Sequence, residues 1–76
     1  MKRHEFDLAA KIIHGAGARG GEPHHWIRAA DGFSTLAMVC RIMGQFDLAD
    51  DAMMLKWVCT EHAIPGLKAL YKDIAA

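Results

Sequence analysis

The 76-residue chain predicts an all-α domain, a small four-helix bundle with an antiparallel helical hairpin at its centre. Three observations predict it. Apolar residues recur in steps of three and four along four segments. No window sustains the period-two alternation that marks a strand. Glycine and proline gather between the segments, at 15–23, at 44 and at 65–66, where a chain turns.

The first helix is expected over Glu5–His14. Phe6, Ala9, Ala10 and Ile13 fall on one face, and Leu8 and Ile12 widen it. Gly15 suits the C-terminal cap. Residues 15–23 then hold four glycines and Pro23, which reads as a flexible connector. Gly15, Gly17 and Gly20 have the spacing G-x-G-x-x-G, the fingerprint of a dinucleotide-binding loop. That loop needs a strand before it, a helix opening on it and a βαβ unit around it. Here a helical pattern precedes the glycines, "GEPHHW" follows them, and the chain is too short for such a sheet. The spacing is therefore expected to serve a hinge.

The second helix starts near Pro23, a favoured first-turn residue, and reaches about Met43. Trp26, Ala29, Ala30, Phe33, Leu36, Ala37, Cys40 and Met43 form its seam. Gly32 offers a break at Asp31–Gly32, with Ser34 as a fresh N-cap. "GQFD" is the following turn, Gly44 ending one helix and Asp47 capping the next. The third helix, Leu48–His62, carries Ala49, Met53 and Trp57 on one face and Leu48, Ala52, Leu55 and Cys59 on the adjoining one. Met43 and Met53 are expected in the core. The fourth helix, Pro65–Ala75, has its seam at Leu67, Leu70, Tyr71 and Ile74.

Within this pattern "FSTLAMVCRIMGQFDLADDAM" resembles one tetratricopeptide-type hairpin, over about residues 33–56. Phe33, Leu36, Ala37, Gly44, Phe46 and Ala49 sit at matching offsets. The resemblance implies a local antiparallel hairpin, with small residues at the helix contact, an aromatic plugging the turn, and a protein-binding habit. The sequence departs from the family where Lys56 replaces a second alanine, and no second copy follows.

Composition narrows the function. Nine basic residues balance nine acidic ones, so the surplus of positive charge that nucleic-acid binding draws on is missing. A reading helix would present Asp47, Asp50 and Asp51 to phosphate, which repels it. No run approaches the ~20 apolar residues of a membrane span, and the N-terminus lacks a signal-peptide pattern. Two cysteines, Cys40 and Cys59, are too few for a disulfide scaffold. Folding the hairpin offsets them by about 12 Å along the axis, too far for a bridge. A cytoplasmic protein is the expectation.

Little in the chain points to chemistry. Cys40 and Cys59 lie in apolar seams, where thiolate formation is disfavoured. Of the five histidines only His24 and His25 are adjacent; with Glu22 they are the one candidate metal or catalytic group. The hydrophobic share of 53% is large for so small a domain, whose interior cannot hide it all. The expected function is therefore a non-enzymatic binding module without a cofactor, an adaptor or an inhibitor of a larger protein. Such a chain also fits the class of phage- or mobile-element-encoded proteins acting against host machinery, as anti-CRISPR proteins do. The contact candidates are Trp26, Met38, Met54 and Trp57, with Asp47, Asp50 and Asp51 steering a basic partner. The partner is a larger protein or a second copy of the chain. The competing readings are a histidine-dependent metal protein and a nucleic-acid binder.

Overall fold

In the computed structural model residues 1–64 are described, and all their regular structure is helical: α1 (Arg3–Gly20), α2 (Pro23–Ile42) and α3 (Phe46–Ala63). Among these residues there are three helices and no strand, so the class is as expected while the four-helix bundle is not seen. The fourth helix expected at 65–75 lies outside the described residues.

α1 is the main correction. The glycines expected to form a hinge continue the helix for six residues past His14. The turn itself is only Gly21 and Glu22. Gly21 adopts φ 74°, and its N–H closes the helix on the Gly17 carbonyl at 2.9 Å. Each interior glycine costs the helix about 1 kcal/mol relative to alanine. What offsets that cost is closeness to α2. A β-carbon on Gly17 would stand 2.7 Å from Trp26 Cε3 and 3.2 Å from the Ala29 methyl. One on Gly20 would overlap the His25 ring. From the other side, Gly32 lies where a β-carbon would meet Ile13 Cγ2 at 3.1 Å. Gly17 and Gly20 of α1 and Gly32 of α2 thus set the approach of the two helices, and the G-x-G-x-x-G stretch is helix, neither a hinge nor a phosphate loop.

α2 runs unbroken through Gly32, so no new cap forms at Ser34. The same close contact with Ile13 explains why the glycine is there. α2 ends in a tight turn in which Gly44 takes φ 75° and the Gln45 N–H reaches back to the Cys40 carbonyl at 2.8 Å. α3 begins at Phe46 with Gln45 as its N-cap, two residues earlier than expected. Asp47 lies inside the first turn rather than at the cap. A carboxylate there still favours the positive end of the helix dipole.

The α2–α3 hairpin carries the core. Phe33, Ala37 and Cys40 from α2 pack with Ala49, Ala52 and Cys59 from α3, and all are buried. The alanines let the backbones approach, as the hairpin resemblance implied. Phe46 departs from it: the ring is 64% exposed and does not plug the turn. α1 lies across the hairpin and contributes Phe6 to the core. Both cysteines are buried and free. Met43 and Met53, expected inside, stand exposed, as do Leu8 and Ile12 on α1.

Candidate docking surface

The two tryptophans separate. Trp26 is 8% exposed and sits where all three helices meet. It lies over Gly17, takes His62 of α3 in a stacked contact (4.2 Å, 16° between planes), and takes the edge of His14 of α1 at 5.2 Å. Such aromatic contacts add about 0.5–1.5 kcal/mol beyond burial. Trp26 is thus a core residue, and His14 and His62 serve as its cover. Trp57, on α3, is 43% exposed.

Around Trp57 the outer face of α3 gathers an apolar stripe. Met53, Met54, Trp57 and Val58 follow one another at i, i+1, i+4 and i+5, so they adjoin on the helix surface. All four are exposed, Met54 at 70%. Met53, Lys56, Trp57 and Thr60 line one shallow groove, and Met54 joins Leu55, Phe6 and Ala10 in another between α1 and α3. Met38, also 61% exposed, belongs to α2, where it forms a separate step with Ile42 four residues on. Of the four contact candidates read from the sequence, Met54 and Trp57 thus share the exposed stripe of α3 with Met53 and Val58, Met38 stands apart on α2, and Trp26 is buried. The missing signal was which side of α3 the first helix covers.

The acidic group also divides. Asp51 accepts a 2.6 Å charge-assisted hydrogen bond from Arg3 Nη1, while Arg3 Nε lies 3.3 Å from Asp7. The hydrogen bond to Asp51 holds the Arg3 guanidinium above its ordinary pKa, and Asp7 adds to the effect. Asp51 thus ties α3 to α1 and is not free to steer a partner. Asp47 and Asp50 are exposed and form no ion pair among the described residues. With Glu61 they frame the apolar stripe at both ends, against a single lysine, Lys56, on the same helix.

His24 and His25 stand ring over ring, centroids 4.0 Å apart and tilted by 37°, rather than converging on a common point. Among the described residues no three His, Cys, Asp or Glu side chains are grouped so as to hold a metal ion, and this includes Glu22 with the two histidines. Among the same residues no helix is long and apolar enough to cross a membrane. No family model, curated protein or solved structure matches the chain.

Proposed function

We propose that the protein is a non-enzymatic binding module, an adaptor or inhibitor, that docks a basic, apolar-faced segment of a larger protein on the outer surface of α3. The observation that carries this reading is the run Met53, Met54, Trp57 and Val58, all exposed on one helix and bordered by Asp47, Asp50 and Glu61. Apolar side chains standing together in water cost solvation free energy that a partner's surface recovers, at roughly 25 cal/mol per Å² covered. Methionine and tryptophan suit that role, one by adapting its shape and the other by offering a large rigid ring. The acidic border contributes mainly to encounter rate and to the choice of partner.

The test is capture of a partner from the native host, followed by calorimetry with the purified pair. Met54→Asp is expected to weaken binding at least tenfold, and Asp47→Lys with Asp50→Lys to slow association in a salt-dependent way. Met38→Asp, on α2, should leave affinity unchanged. Equal affinity for wild type and Met54→Asp, or loss with Met38→Asp alone, would overturn the reading.

A further inference from the structure

A second surface, independent of α3, lies between α1 and α2. Ile12, Ile13 and Ala16 of α1 face Ala29 and Gly32 of α2 across a groove of about 370 Å³. That size falls near the lower end of the range for small-molecule sites. Ile13 lies against Gly32, and Leu8, one turn before Ile12, is itself exposed. The floor is therefore aliphatic.

One rim is different. His25 and Arg28 line the groove three residues apart on α2, so both lie on the same side of that helix. Arg28 is exposed and has no ion-pair partner among the described residues. His25 is pressed against Gly20, and its Nδ1 is buried without a hydrogen-bond partner. In a neutral imidazole one nitrogen accepts and the other donates. With Nδ1 enclosed, Nε2 is the ring nitrogen left to meet a ligand, and it can carry an N–H. The groove thus offers a greasy trough closed at one side by a guanidinium and one further N–H.

We propose that this groove binds a small aliphatic monocarboxylate, with its carboxylate held by Arg28 and His25 and its chain lying on Ile12, Ile13, Ala16 and Ala29. A guanidinium matches a carboxylate with two parallel hydrogen bonds. The imidazole N–H satisfies a further lone pair. A phosphate, with more charge and more acceptors, would want more cations than the groove holds. The chain gains by covering the exposed aliphatic side chains of α1.

The experiment uses the full chain and decanoate below its micelle concentration, read by calorimetry and by backbone amide NMR. Amide shifts are expected to centre on residues 12–16 and 25–32 and to leave the outer face of α3 still. Arg28→Gln should weaken binding at least tenfold, and Ile12→Glu should abolish it. Both positions are exposed, and circular dichroism checks that the helices persist. Decylammonium, equal in chain and opposite in charge, should not bind. The proposal fails if decanoate leaves these amides unmoved, if decylammonium moves them equally, or if Arg28→Gln binds as wild type does. Shifts confined to α3 would also sink it, without bearing on the docking surface proposed there.

Discussion

Trp26 lies directly over Gly17, so that a β-carbon on the glycine would come within 2.7 Å of the indole. The pair fixes how closely α1 can approach α2, and it gives two glycines of one helix opposite fates on substitution. Gly15 meets only the flexible end of Arg19, at 3.4 Å. Gly15→Ala is therefore expected to stabilise the fold by up to about 1 kcal/mol, through helix propensity alone. Gly17→Ala brings the same gain but must push the indole away, an overpacking cost of about 1–3 kcal/mol. Urea denaturation should move the midpoint up for the first variant and down for the second. A Gly17→Ala protein as stable as Gly15→Ala would show that the contact is not tight.

The turn between α2 and α3 tests backbone strain in isolation. Gly44 adopts φ 75°, and nothing lies within 4 Å of a β-carbon placed there. Gly44→Ala should cost about 1–2 kcal/mol, the penalty of the left-handed region for an L-residue. Gly44→Asn should cost less, because asparagine tolerates that region. Thermal melts of the three proteins give the ranking. No loss in Gly44→Ala would mean that the turn relaxes to another conformation.

Burial pushes the Cys59 thiol above its ordinary pKa. The charged thiolate is disfavoured in the fold, so the neutral form stabilises the native state. That contribution is whole below the ordinary thiol value of about 8.5 and is lost as pH rises through the raised one. Two outcomes follow. Native Cys59 should react slowly with a disulfide reagent at pH 8 and quickly in denaturant. Stability should also fall more steeply on the alkaline side in wild type than in Cys59→Ala. Fast labelling of the native protein would contradict the burial.

The α2–α3 hairpin and its seams were readable because they are local. Phe33, Leu36, Ala37 and Cys40 repeat at the period of a helix, and whatever packs on them, that face must turn inward. The docking stripe was only half readable. Met54 lay off the main seams, whereas Trp57 and Met53 share a face, and Met53 has the same sequence pattern as a core residue. It is exposed because α1 packs on another side of α3.

What the sequence by itself determined is the helical period, the turn at Gly44 and the pairing of the second and third helices. All of these follow from residues within a few turns of one another. Tertiary structure alone decided that Gly15 to Gly20 extend a helix, that Trp26 is buried while Trp57 is not, and that Asp51 is bound to Arg3. The physical reason is the same in each case. A glycine, an indole or a carboxylate has one local preference, and its fate depends on what the fold sets opposite it. In this protein that is an indole against Gly17, a glycine and two histidines around Trp26, and a guanidinium against Asp51.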